Sequence, residues 1–363
     1  MSPRLILACL TFIFLILLFP AVQAAEVRIT SDPADQTSPS IWENRIVWTD
    51  ARNTKNLDIY LYDVNTATET RITKGPKDRK SPAIWGDIIA AVDLTYGSPD
   101  IYIYNLLTQT GRLISTGATN QKFPRVSGNF VVWETSRNAD NDIAVYNASA
   151  GREVKIPSGA GSRRSPAIWG NRMVWTDTSS GTSTIRLYDI ETKAESRLTN
   201  DNTSQFNPWI YGDLVVWQDT RNGNADVYLY DIATGTEKRI TTDPADQRNP
   251  RIWGDRIVWE DYRNGNPDIY MFTISTGKEQ ALTRDQVVQR SPAIWGDRIV
   301  WEDYRNGNAD VYMFDASTPA AASPGTGGTQ AAPSPASSVP LPEILPLIAA
   351  ILLVIGWARR SRR

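Results

Sequence analysis

Seven prolines, Pro39, Pro82, Pro124, Pro166, Pro208, Pro250 and Pro292, open copies of one phrase at an interval of 43 and then 42 residues. Nothing else in the chain restricts its fold as much, because a constant period of this length assigns one small structural unit to every copy. The clearest copies, residues 250–259 and 292–301, read Pro-x-Ile-Trp-Gly-Asp-Arg-Ile-Val-Trp.

Each unit predicts four strands. Pro-x-Ile-Trp is the first, with proline at its opening residue, where a missing N–H does least harm. Gly-Asp, as at Gly254-Asp255, suits a two-residue hairpin turn that needs positive φ. Arg-Ile-Val-Trp follows, then a turn such as Arg263-Asn264-Gly265-Asn266 into Asp268-Ile269-Tyr270-Met271-Phe272, and a short fourth strand such as Arg239-Ile240-Thr241. Apolar residues on both faces of the middle strands suit small sheets sandwiched between neighbours. The expectation is an all-β, seven-bladed β-propeller with four-stranded blades. The last unit stops at Asp315 without a fourth strand, while Val27-Arg28-Ile29-Thr30 copies the missing one, so the N-terminal strand is expected to close the ring.

The two ends read differently. Residues 1–24 carry Arg4, an apolar stretch and small residues around Ala24, which predicts a signal peptide cut after Ala24. The propeller is assigned to residues 25–315. Residues 316–342, nearly all Ala, Ser, Thr, Pro or Gly, predict an extended tether. Residues 343–363 predict a hydrophobic anchor helix or sorting tail, ending in Arg359, Arg360, Arg362 and Arg363. The expected location is extracytoplasmic, at the cell surface, held to a membrane by the C-terminus.

The phrase Trp-x-Asp-x-Arg-Asn-Gly-Asn-x-Asp-(Ile/Val)-Tyr, at residues 217–228, 259–270 and 301–312, resembles TolB-type propeller repeats, nearest to those of methanogen cell-surface proteins. The resemblance covers residues 26–315; it implies the fold strongly and an activity weakly. Pro342-Glu343 with the Arg-rich end resembles the PEP-CTERM type of sorting tail and its archaeal counterparts.

Composition excludes much chemistry. The chain has no His, and Cys9, inside the export segment, is its one Cys, which removes His-dependent triads and His/Cys metal sites. A net charge of -2 argues against nucleic acid as a partner. Two positions before the repeat proline, Lys80, Lys122, Arg164, Arg248 and Arg290 recur, which predicts a cationic ring at the channel mouth for an anionic ligand, or else pairing with turn carboxylates such as Asp219. Asp219, Asn222, Asn224 and Asp226 offer an oxygen set for Ca²⁺, though their recurrence favours a scaffolding role; no cofactor is expected. Asn147 and Asn202 open glycosylation sequons. The tryptophans of Ile-Trp and Val-Trp are expected between blades. With no His and no residues left for a second domain, the expectation is a non-catalytic surface structural or interaction protein, binding a surface protein or glycan. The alternative is an extracytoplasmic sensor for an anionic ligand, and no enzyme.

Overall fold

The computed structural model describes residues 26–317, apart from 54–55, 116–118, 138–139, 158–160 and 200–202. Those residues form seven four-stranded antiparallel sheets. Blade six is representative, with strands Gln247–Trp253, Arg256–Asp261, Asp268–Thr273 and Lys278–Ala281 running from the channel outward. The seventh blade holds Gln289–Trp295, Arg298–Asp303 and Asp310–Asp315, and its outer strand is Val27–Arg28. Val27 pairs with Met313 and Arg28 with Tyr312, so the N-terminal strand closes the ring as the sequence predicts. Arg28 adds an ion pair to buried Asp310 at 2.8 Å, and Thr30 Oγ1 accepts the Val311 N–H at 2.9 Å. The expected signal peptide, the tether beyond residue 317 and the C-terminal anchor helix lie outside the described residues.

Seven apolar clusters form the core, one between each pair of neighbouring blades. The tryptophan of Val-Trp anchors six blades: Trp48, Trp133, Trp175, Trp217, Trp259 and Trp301 are fully buried. Burial of an indole leaves its N–H in need of an acceptor. In five blades the aspartate two residues on supplies it, as Asp261 Oδ2 does for Trp259 at 2.9 Å, and in blade three Gln121 Oε1 accepts from Trp133 at 2.6 Å. The Asp261 carboxylate also binds Arg263, whose guanidinium lies 4.3 Å from the ring centre of Tyr270. Truncating such a tryptophan to Ala removes its apolar contacts and leaves a cavity, a change costing about 3–5 kcal/mol.

The inner strands differ from the expectation in one respect. Their prolines do not open them; Pro250 is interior to Gln247–Trp253, at a register shift between Arg248 and Arg251. A bulge tolerates proline because the residue there has no ladder bond to make. The residue before each repeat proline is left-handed in every blade, from φ 51° at Ser165 and Asn207 to φ 57° at Ser291. Non-glycine residues rarely adopt that region. The bulge turns these residues toward the mouth of the channel.

Candidate functional site

The first position after the repeat proline of each inner strand varies, as Ser40, Ala83, Arg125, Ala167, Trp209, Arg251 and Ala293, and all of these but Ala167 line the channel. Inner strands of all seven blades bound a cavity of about 330 Å³. Four blades contribute a small residue at this position, and the room they leave is taken by Arg125, Trp209 and Arg251. Both guanidiniums lie over the Trp209 indole, Arg125 at 5.3 Å and Arg251 at 4.5 Å from the ring centre.

Neither guanidinium is neutralised. Arg125 Nη1 donates to the Pro124 carbonyl at 2.9 Å and Arg251 Nη1 to the Pro250 carbonyl at 2.8 Å. Arg125 Nε is buried without a hydrogen-bond partner. Among the described residues neither arginine forms an ion pair, unlike Arg263 or Arg305 in the turns. Burial disfavours the charged form, and repulsion from Arg251 adds to it, so Arg125 is pushed down to about 9. Burial lowers Arg251 to about 10, with the charge of Glu260 opposing.

Glu260 is the one carboxylate among the residues lining this cavity. It accepts the Ser291 N–H at 2.7 Å, Asn249 Nδ2 at 2.9 Å and the Tyr262 hydroxyl at 3.4 Å. Asn249 is held in turn by Asn207 Nδ2 at 3.0 Å, and Asn207 accepts the Ser165 hydroxyl at 3.2 Å. This relay runs from blade to blade through the left-handed residues of the bulges. Buried carboxylates also stand at the position of Glu260 in blades three and seven, as Glu134 and Glu302, where other blades have Thr49, Val92, Thr176 or Gln218.

Beyond the arginines the channel ends in aromatic rings. Trp85, Trp169, Trp253 and Trp295 meet in a closed circuit. Trp85–Trp169, Trp169–Trp253 and Trp85–Trp295 are each 5.0 Å apart and edge to face, and Trp253 lies 3.6 Å from Trp295. Tyr211 braces Trp169 and Trp253 from outside at 4.4 and 4.6 Å. The Ile-Trp tryptophans are therefore half-buried and meet one another in the channel, whereas the Val-Trp set lies between blades as expected.

The five basic residues expected at the mouth stand at the entry to the inner strands, but none lines the cavity. Arg248 pairs with Asp246 and stacks on Tyr262 at 5.1 Å. Arg290 pairs with Glu302 at 2.8 Å and meets the Tyr304 hydroxyl. Lys80, Lys122 and Arg164 form no ion pair among the described residues. In the proposed Ca²⁺ set, Asp219 accepts Trp217 Nε1 at 3.0 Å and Arg221 Nη2 at 2.6 Å. Asp226 accepts Asn222 Nδ2 at 2.9 Å and pairs with Arg239, also at 2.9 Å, while Asn224 Nδ2 donates to the Ala245 carbonyl at 2.8 Å. Donors thus engage the oxygens a cation would need, and no group of three His, Cys, Asp or Glu converges among the described residues. Asn147 ends the third strand of blade three, paired with Arg152, and its Oδ1 accepts the Ser149 hydroxyl at 2.8 Å. Asn202 lies outside the described residues.

Arg125, Trp209, Arg251 and Glu260 were missed by the sequence reading. The available signal was departure from the repeat at a channel-facing position, and the shared phrase conceals it.

The fold defines a class, the seven-bladed propeller of TolB-like kind. No family model matches the chain, and no curated protein matches it. Solved structures do. An oligogalacturonate lyase in complex with manganese is 13% identical, with a TM-score of 0.64 over 80% of this chain and 92% of that one. A puromycin-hydrolyzing peptidase of Mycobacterium tuberculosis is 13% identical, with a TM-score of 0.63 over 78% of this chain, which spans 52% of the peptidase. A putative TolB of Agrobacterium tumefaciens is 13% identical, with a TM-score of 0.50 over 71% of this chain and 97% of that one.

These neighbours correct the expected function. The non-catalytic surface role and the denial of enzymatic activity rested on missing His and on no room for a second domain, and the sensor alternative on a cationic channel mouth. The lyase shows that a ring covered almost end to end by this one is itself an enzyme. The physical error was to equate His-free with inert: charged groups buried in a channel can stabilise charge without imidazole.

Proposed function

We propose that this protein is a lyase that cleaves uronate-containing oligosaccharides in its channel. The observation that carries the reading is the pair of guanidiniums, Arg125 and Arg251, that line one cavity beside the Trp209 indole without an ion pair among the described residues. Two buried cations that repel each other are stabilised by an anion placed between them. A planar carboxylate matches the guanidinium fork, and an indole face suits a sugar ring.

The reaction follows from that placement. Two positive charges on the substrate carboxylate stabilise negative charge developing at the neighbouring carbon, so its C–H bond becomes acidic. Glu260 takes that proton, the electron pair forms a carbon–carbon double bond, and the glycosidic C–O bond breaks. The same carboxyl returns the proton to the departing oxygen, and no water or redox partner is consumed. The Ser291 N–H and Asn249 hold Glu260 for this transfer. For the manganese named for the similar lyase, no group of three His, Cys, Asp or Glu converges among the described residues. No step is assigned to a metal.

Export with a C-terminal anchor, a sorting tail of PEP-CTERM kind and kinship with methanogen surface proteins belong to this proposal. They would set the ring beside extracellular polysaccharide. The test is incubation with polygalacturonate, alginate and a glucuronate polymer, following ultraviolet absorbance of the unsaturated uronate product. Activity on one polymer is expected, with Arg251→Ala and Glu260→Gln each lowering kcat by about 100-fold or more. Absence of unsaturated product from all three polymers rejects the reading.

A further inference from the structure

From Asn249 at the mouth through Arg251 to Trp253 the inner strand descends about 13 Å, at roughly 3.3 Å per residue. There the circuit of Trp85, Trp169, Trp253 and Trp295 fills the bore, with its rings in contact. Rings packed edge to face at 5.0 Å leave no opening for a sugar between them.

We propose that the channel is a blind pocket that admits only the end of a uronate chain, so that the enzyme works from chain termini. The inference rests on the uronide reading above and adds the mode of attack. A unit inside a polymer has a neighbour on each side and needs two exits from the site. Here the second exit is closed by indoles. The volume, about 330 Å³, lies at the low end of ligand pockets and fits a short terminal segment rather than a strand passing through. The rim points the same way. Phe123, 47% exposed, occupies the left-handed position of blade three, where four other blades have serine, and lines the same cavity. It offers a platform for the sugar that remains outside the mouth.

Binding and turnover test this separately. Trigalacturonate and trimannuronate are titrated by calorimetry beside the same trimers carrying a bulky aromatic group on both ends. One free trimer is expected to bind, and its blocked form at least about tenfold more weakly, a difference of about 1.4 kcal/mol. Phe123→Ser, which installs the residue of blades one, two, four and seven, is expected to weaken the free trimer while thermal stability holds. Equal affinity for free and blocked trimers overturns the proposal. With polymer, short unsaturated products are expected to accumulate while viscosity stays high, and an early collapse of viscosity also overturns it. Chain-end binding without any unsaturated product would keep the blind pocket and discard the lyase. No binding of either trimer would discard both.

Discussion

Arg125 and Arg251 are costly residues in a ring whose turn arginines are paired with buried aspartates. Asp261 and Arg263 compensate each other in blade six, but Arg125 has beside it only carbonyl and indole, plus a second cation. With its folded value pushed well below the ordinary guanidinium range, to about 9, the folded state resists carrying this proton. Below about 9 both states are protonated and the full penalty applies. Between there and the ordinary guanidinium range the unfolded chain binds more proton, so stability recovers as pH rises through that window. Arg125→Met keeps a long side chain without the charge. It should raise the unfolding free energy near neutral pH by about 1 kcal/mol while weakening uronide binding. Urea melts at two pH values check both parts: the advantage over the natural protein should shrink above pH 9. A variant less stable at neutral pH would mean that the guanidinium is already compensated.

At the scale of the blade, one position exchanges its cation with another. In blades one, five, six and seven the turn arginine two residues after the buried aspartate stacks on a strand tyrosine, as Arg52 does on Tyr60 at 4.3 Å. Blade two has Thr95 there. Its cation comes instead from Arg79, at the inner-strand position held by Gln36, Gln247 or Gln289 elsewhere; Arg79 bonds buried Asp93 at 2.7 Å and stacks on Tyr102 at 4.4 Å. Arg79→Gln should therefore strand a buried carboxylate and cost about 3 kcal/mol. Arg79→Gln with Thr95→Arg rebuilds the arrangement of blade one and should recover most of that loss in urea melts. If the double variant is no better than the single, the two seats are not equivalent. The loss of the turn arginine from units two and four was visible in the sequence, and so were Arg79 and Arg163, but only coordinates show one replacing the other. The ring, its closure by residues 27–28 and the Gly254-Asp255 turn were legible because the period and the chain ends fix them. The site was less legible. Arg125, Trp209 and Arg251 look like noise in a consensus until seven strands place them around one channel.

For the whole molecule the question is where the ring gives way. Its closing seam is held by a strand of only two paired residues, which suggests weakness there. Side chains argue otherwise. Glu302 accepts the Ser38 N–H at 2.7 Å, Asn308 reaches the Asp32 and Ala34 carbonyls, Ala309 N–H binds Asp35, and Arg298 reaches Asn44. Blade two contrasts with this. Ala91 stands where six blades bury a tryptophan, which removes roughly 150–250 Å² of aromatic surface, or about 4–6 kcal/mol of gross burial. Ile88 also replaces the arginine that, as Arg45 or Arg256, clasps an aspartate of the next blade. Among the described residues the polar links from blade two to blade three are the Gln121 N–H to the Pro99 carbonyl at 2.9 Å and Arg112 over Tyr146. Because each blade is stabilised mainly by its neighbours, and blade two lacks the tryptophan that would face blade one and the arginine that would reach blade three, local opening should start at blade two. Hydrogen exchange is expected to show at least about tenfold lower protection for amides of Ile88–Asp93 than for Arg256–Asp261. Ala91→Trp overfills a space now packed by Val47, Ile84 and Ile89 and is not expected to mend it. Least protection at Asp310–Asp315 would instead place the weak point at the closure and remove the role assigned to its side-chain links.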